Sequence, residues 1–265
     1  MPALLGWAKP AAKAVYERLL WARVGMRAAA VRRGRRPPPP PPEAPWDNSV
    51  LQRVACWTQA AAQAKRLGLP LHIDRPKNWD TLGAVRVVLD HTDPSATVLD
   101  AGSAPYSTVL PSLRCYGYEQ LFGIDLTFKR PLQRGPALFS PGDITATSFA
   151  DAQFDAITCL SVIEHGVNLE AYFSEMARIL KPGGVLVTST DYWCDPIDTR
   201  GQVAYGVPVH VFTRDELTDA LKLAGKHGLE PTGPVNLDCG ERTVRWKRFG
   251  LEYTYVLFTL AKRSA

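Results

Sequence analysis

The sequence offers little that would tie it to an oxidising compartment or to a metal. Its 265 residues hold five cysteines, Cys56, Cys115, Cys159, Cys194 and Cys239, and no C-x-x-C pair. An odd number at wide spacing points to free thiols in a reducing, cytoplasmic setting and argues against a disulfide frame or a zinc site. No apolar run approaches the ~20 residues of a membrane span. The N-terminus lacks the continuous apolar stretch of a secretory signal. There is no internal repeat, and no triad with metal-ligand spacing, so a metal-independent protein is expected.

Acid is nearly absent from the start of the chain. Residues 1–36 hold nine Lys and Arg but only Glu17 as an acid, so this arm carries +8 while the whole chain carries +5. The body is therefore slightly acidic, and nothing in it suggests a nucleic-acid groove. Apolar residues recur every three or four positions from Leu4 to Val31 (Leu4, Ala8, Ala11, Val15, Leu19, Ala22, Met26), which predicts a helix. Two readings fit it. One is peripheral contact of residues 4–36 with an anionic membrane surface; the other is a helix packed on the body or on a partner. Six prolines, Pro37–Pro42, end the helix and read as a stiff spacer, since proline fixes φ and donates no N–H. The expected division is an arm over 1–45, a helical or lid region over 46–96 and a catalytic domain over 97–265.

In the lid region a helix is predicted from Asn48 to Leu67, stopped by Gly68 and Pro70. A loop with His72, Lys77, Asn78 and Trp79 follows, forming a lid edge, and then a helix through Leu82, Val85, Val88 and Leu89. From Thr97 onward short apolar segments alternate with helical ones. Strands are predicted at Thr97–Ala101, Gln120–Asp125, Ala137–Asp143, Phe154–Leu160 and Gly184–Thr190. Helices are predicted at Tyr106–Tyr116, Asn168–Leu180 and Thr213–Lys226. That alternation predicts an α/β fold with a parallel sheet and right-handed crossovers. The short, proline-containing interval between Asp125 and Ala137 predicts a loop instead of a helix. Two late strands, Pro234–Cys239 and Tyr253–Lys262, lack a helix between them and predict an antiparallel finish.

Chemistry-bearing residues collect at the carboxyl ends of these strands, where open α/β sheets bind ligands. Val98-Leu99-Asp100-Ala101-Gly102-Ser103-Ala104-Pro105-Tyr106 is a strand running into a small-residue turn. Asp125 ends the second strand and can hydrogen-bond a ribose diol. Asp143-Ile144 ends the third and suits an adenine. The fourth strand runs into Leu160-Ser161-Val162-Ile163-Glu164-His165, and Lys181-Pro182-Gly183-Gly184 leads into the fifth. A dinucleotide site would need G-x-G-x-x-G, where this chain has Gly102, Ala104 and Ser107.

In order and spacing these stretches resemble the class I S-adenosylmethionine-dependent methyltransferases, near the type 11 methyltransferase branch. The resemblance implies a Rossmann-like seven-stranded sheet with an antiparallel last strand and S-adenosyl-L-methionine across the strand tips. It implies that Asp100, Ala101, Gly102, Ser103 and Ala104 lie along the methionine part. Asp125-Leu126 would take the ribose, Asp143-Ile144 the adenine and Leu160-Ser161 the sulfonium region. The motif departs from alternating glycines at Ala104 and Tyr106, which keeps a non-catalytic cofactor-binding scaffold as another reading.

An alcohol acceptor needs its proton removed, and His165, beside the fourth strand, is the candidate base. Asp191, Tyr192 and Trp193 follow the fifth strand and His210 precedes a later helix; these four are the candidate acceptor-binding residues. An aromatic platform beside a carboxylate suits a sugar. The expected reaction is O-methylation of a saccharide or glycoconjugate hydroxyl. A lipid or small natural product is the other acceptor reading.

Overall fold

The computed structural model describes residues 10–44, 47–103, 106–204 and 206–264. Ala104 and residues 4–9 of the predicted arm helix lie outside them. In chain order the elements are α1 (Pro10–Arg32), β1 (Ser49–Val50), α2 (Val54–Leu67), α3 (Lys77–His91), β2 (Thr97–Ala101), α4 (Val109–Cys115), β3 (Gln120–Asp125), β4 (Leu132–Arg134), β5 (Ala137–Pro141) and β6 (Phe154–Leu160). Then come α5 (Leu169–Ile179), β7 (Leu180–Tyr192), β8 (Val203–Ala204), β9 (Val207–Pro208), α6 (Arg214–Lys226), β10 (Leu229–Pro231), β11 (Val244–Trp246) and β12 (Leu251–Lys262).

Five parallel strands in the order β7-β6-β2-β3-β5 form the centre of the sheet, and β12 closes it antiparallel to β7. With β10 on β12 these make the expected seven; β1, β4 and β11 are short additions that bring the sheet to ten strands among the described residues. Central parallel strands are buried on both faces, and β6 and β7 are buried continuously over Ala156–Cys159 and Val185–Tyr192. One face of the sheet packs on a cluster that includes Leu82, Val85, Val88, Leu110 and Leu113 of α3 and α4. The other packs on Tyr172, Phe173, Met176, Leu217 and Ala220 of α5 and α6.

Local chemistry sets several boundaries. The Asn168 side chain accepts the N–H of Ala171 and starts α5. Thr213 and Glu216 form a capping box at the start of α6. The Lys-Pro-Gly-Gly turn is a bulge inside β7: the register with β6 moves from Phe154–Leu180 to Ala156–Val185. A Cβ on Gly184 would lie 2.8 Å from the Asp155 carbonyl, and Lys181 binds the Asp155 carboxylate at 2.8 Å.

Several sequence expectations need correction. Ser49–Val50 leaves the predicted helix because it pairs with β12, and Arg53 is extended, so α2 begins at Val54. Pro234–Cys239 is not a strand; its β-pairing among the described residues is one isolated bridge, Asn236 to Ser49. The interval after Asp125 folds back as the β4–β5 hairpin. The polyproline segment is no free spacer: Pro39 and Pro42 are buried, Tyr116 donates its hydroxyl to the Pro40 carbonyl at 3.0 Å, and Arg86 donates to the Pro42 carbonyl at 2.8 Å.

The cysteine expectation is also corrected. Cys194 and Cys239, 45 residues apart, form a disulfide with Cα atoms 5.9 Å apart, while Cys56, Cys115 and Cys159 are free. Sequence spacing could not show that the segment after β7 and the one before β11 run side by side. Thiol titration of the denatured protein should give three thiols before reduction and five after. A count of five without reductant would remove the bridge.

Candidate functional site

Two groups of residues meet at the carboxyl edge of the sheet. The first surrounds the turn after β2. Gly102 has φ +79°, a left-handed conformation that favours glycine, and the N–H groups of Gly102 and Ser103 both donate to the Ile124 carbonyl. A Cβ on Gly102 would lie 2.4 Å from Cγ2 of Val162. The turn therefore presses directly on the loop after β6. Asp100 is buried and accepts hydrogen bonds from Thr158 Oγ1 at 2.7 Å and Ser107 Oγ at 2.8 Å. Burial raises its pKa, and these hydroxyls work against that rise. Its carboxylate braces β2 against β6 and the turn. Ala101 and Ser103 are buried beside it.

Asp125 and Asp143 stand at neighbouring strand ends: Asp125 is in register with Pro141, and Gly142 donates its N–H to the Asp125 carbonyl at 3.4 Å. Each carboxylate accepts from a threonine two residues on. Thr127 approaches Asp125 at 2.7 Å (N–H) and 2.5 Å (hydroxyl); Thr145 approaches Asp143 at 2.8 and 2.7 Å. Leu126 is exposed and Ile144 is buried. Leu160 is half-buried, and Ser161 adopts φ +53° with its hydroxyl buried and without a hydrogen-bond partner. A non-glycine residue at positive φ with a buried, unpartnered hydroxyl is a combination that clusters at functional sites in proteins generally. Tyr106 is 37% exposed.

The second group was only partly foreseen. Asp80, Glu164 and Asp191 are buried, and they face Lys77. Ser189 Oγ donates to Asp80 Oδ2 at 2.8 Å, and Thr190 Oγ1 to Glu164 Oε2 at 2.9 Å. Burial pushes Asp80 up to about 6, against the pull of the Lys77 ammonium. Burial also raises Glu164, and burial together with Glu164 raises Asp191 well above the carboxylate range, where Tyr253 donates to it. The carboxylates in turn raise Lys77, whose ammonium lies 5.1 Å from the Tyr255 ring centre. His165 is half-buried next to this group; burial and then Lys77 lower its pKa, so it is a neutral imidazole near pH 7. His72 is pushed down to about 4 by burial and then Lys77, and its Nδ1 accepts the Asp74 N–H at 3.1 Å. Asp74 is exposed at the rim.

Asp80, Tyr253 and Tyr255 were missed. The available signal was a carboxylate inside the apolar run from Trp79 to Leu89, where an unpaired charge would be costly. The sequence predicts a loop at Lys77, Asn78 and Trp79, but they form the first turn of α3.

The acceptor residues divide. Asp191 faces the charged group. Tyr192, its neighbour on β7, points to the opposite face as strand geometry requires, is fully buried, and donates its hydroxyl to the Leu237 carbonyl at 2.6 Å. Trp193 is covered by the Arg242 guanidinium, 4.6 Å from its ring centre. The aromatic platform expected for a sugar is therefore not assembled. His210 lies 3.4 Å from Glu216 and lines a cavity of about 350 Å³ with Ile163, Val167, Leu169, Pro208 and Phe212. A cavity of about 340 Å³ at the opposite edge, between His91 and Lys181, touches none of the site residues.

Parts of this chain are similar to known proteins. A methyltransferase domain family matches residues 99–188. A sterol 24-C-methyltransferase of Debaryomyces hansenii is 31% identical over 96 residues, 33% of this chain and 26% of that protein. A 2-methyl-6-phytyl-1,4-hydroquinone methyltransferase of Synechocystis is 31% identical over 108 residues, 38% of this chain and 34% of that protein. The chain thus aligns with about a quarter to a third of the length of these relatives. Among solved structures, a phosphoethanolamine N-methyltransferase of Haemonchus contortus superposes with a TM-score of 0.52 at 14% identity, over 71% of this chain and 54% of that one. A geranyl diphosphate C-methyltransferase of Streptomyces coelicolor superposes with a TM-score of 0.50 at 18% identity, over 78% and 83%. The strand order, the turn after β2 and the matched segment agree: residues 99–188 match a methyltransferase domain family, and the sheet has the Rossmann-like fold of the solved class I methyltransferases it superposes on.

Proposed function

We propose that the chain is an S-adenosyl-L-methionine-dependent methyltransferase acting on an apolar, lipid-type or small natural-product acceptor. The observation that carries this is the half-buried Lys77 with buried Asp80, Glu164 and Asp191 at the carboxyl edge of the sheet, together with the apolar cavity lined by Ile163, Val167, Leu169 and Phe212. The names of the relatives, which act on sterols, a phytyl hydroquinone and geranyl diphosphate, support an acceptor of that kind. The saccharide reading rested on a Tyr192–Trp193 platform and loses its support with the burial of Tyr192 and the covering of Trp193.

The residues present fit the cofactor. Asp125 and Asp143 offer carboxylates at adjacent tips, Gly102 and Ser103 a turn with little side-chain bulk, and Ser161 an unpartnered hydroxyl. Asp125 and Leu126 would hold the ribose, and Asp143 and Ile144 the adenine. Asp100 would brace the turn along the methionine part, with Leu160 and Ser161 near the sulfonium. When bound, the cofactor supplies an electrophilic methyl on a sulfonium. The protein's tasks are then to align the acceptor and exclude water. The acceptor's proton goes to a neighbouring base, for which His165 is available as a neutral imidazole. Glu164 and Asp191, whose pKa values burial raises, place carboxyl groups where they can steady positive charge that develops on the acceptor. His210 and its apolar neighbours suit a hydrocarbon portion.

A turnover screen with labelled methyl donor tests this against sterols, prenylated quinols, isoprenyl diphosphates, simple phenols and saccharides. Turnover is expected on an apolar class. Turnover confined to saccharides would reverse the acceptor reading. Donor binding in calorimetry with no turnover on any class would instead favour a non-catalytic cofactor-binding scaffold.

A further inference from the structure

Helix α1 has two apolar faces. Leu20, Trp21, Val24 and Ala28 are buried, and Trp21 meets Phe139 of β5 edge-on at 6.0 Å. Arg27 donates to the Leu67 and Gly68 carbonyls at 2.6 Å, and Glu17 pairs with Arg134. The helix is therefore fastened to the body. The stripe read from the sequence lies on the opposite side. Val15, Leu19 and Met26 are 56%, 66% and 69% exposed, with exposed Ala22 between them. Their spacing of four, three and four residues makes one continuous line along a helix.

At about 100° per residue, Arg18 falls on one flank of this line and Arg23 on the other. Both are exposed, as are Arg32, Arg33, Arg35 and Arg36 at the helix end. The arm's one acid, Glu17, is turned inward. The outward face is thus apolar at its centre and cationic at its edges and end.

We infer that this face of α1 docks the protein on an anionic lipid bilayer, with Val15, Leu19, Ala22 and Met26 entering the headgroup boundary and the arginines meeting lipid phosphates and carboxylates. Charge decides between occupants. A second copy laid face to face would bring arginine edges together, whereas an anionic bilayer complements them and accepts the apolar line. No described helix is long and apolar enough to cross a membrane, which leaves α1 lying in the surface. This docking is independent of the acceptor reading.

The test uses the full chain and vesicles of phosphatidylcholine, with and without phosphatidylserine at 30 mole per cent. Cosedimentation is expected with the anionic vesicles only, weakening as salt is raised because exposed charges are screened. Leu19→Asp with Met26→Asp should reduce binding about tenfold or more, since two charges would enter the apolar boundary. Arg18→Glu with Arg23→Glu should reduce it about as much. All four positions are exposed, so circular dichroism and thermal melting should match the parent. Absence of wild-type binding would overturn the inference, as would equal binding by the aspartate variant. So would a wild-type dimer in light scattering that the aspartate variant dissolves.

Discussion

Replacing Lys77 by methionine should lower turnover about a hundredfold or more and cost about 3 kcal/mol of stability at pH 7. Methionine keeps the volume and removes the charge. Asp80, Glu164 and Asp191 are then left facing one another, buried, with their one cation gone. Breaking a buried ionic group by removing one partner costs several kcal/mol, because the remaining charges stay desolvated. The turnover loss follows from the proposed role of the group in proton handling, worth about 10²–10⁴ in rate. Cofactor affinity should change by less than about threefold, since Asp125 and Asp143 are held by Thr127 and Thr145 and not by Lys77.

The pH dependence gives this prediction a signature. Asp80 titrates at about 6 in the folded protein, above the ~3.9 of an unfolded aspartate. The folded state therefore binds this proton more tightly. The stability it contributes is full below the unfolded value and is lost as pH rises through about 6. Glu164 and Asp191, also raised, act in the same sense. His72 and His165, both lowered, act in the opposite sense, because their charged forms are favoured on unfolding. The wild-type profile is thus a sum of opposing slopes, but the variant's deficit is not. Without Lys77 the carboxylates hold protons more tightly and the two histidines are relieved of a like charge. The deficit should at least halve between pH 7 and pH 5 in urea unfolding. A deficit that does not vary with pH would show that Lys77 acts through packing of its stem.

Changing Gly102 to alanine should cost about 3 kcal/mol and weaken S-adenosyl-L-methionine binding about a hundredfold or more. Two effects add. A left-handed φ of +79° costs a non-glycine residue about 1–2 kcal/mol. The new Cβ would also lie 2.4 Å from Val162 Cγ2 and 2.9 Å from Cγ1, which forces the loop after β6 to move. That loop holds Ser161, Glu164 and His165, so the binding loss should exceed what the stability loss alone explains. Val162→Ala in the same chain separates the effects. It should restore about half of the lost stability by removing the collision, while the backbone strain persists. Calorimetry and urea unfolding on both single variants and the double variant give the coupling. Equal donor affinity in Gly102→Ala and wild type would remove this turn from the cofactor site.

What depends on neighbours along the chain was legible before the fold was known. Alternating apolar strands and helices, the stop at Gly68, the start at Thr213 and the glycine turns all rest on local hydrogen bonding and steric rules. Those rules yielded the parallel sheet, the order of its tips and the positions of Asp125, Asp143 and Ser161. The apolar line on α1 was legible too, but whether it faced the body was not, because Leu20, Trp21 and Val24 form an equally apolar line on the other side. Tertiary structure alone decided that choice. It also brought Lys77, Glu164, Asp191 and Tyr253 together from separate segments, turned Tyr192 into the core and joined Cys194 to Cys239. The physical reason is common to all four. A charge, a ring or a thiol carries no mark along the chain of what will cover it, and its burial, pKa or bonding partner is fixed only when distant segments close around it.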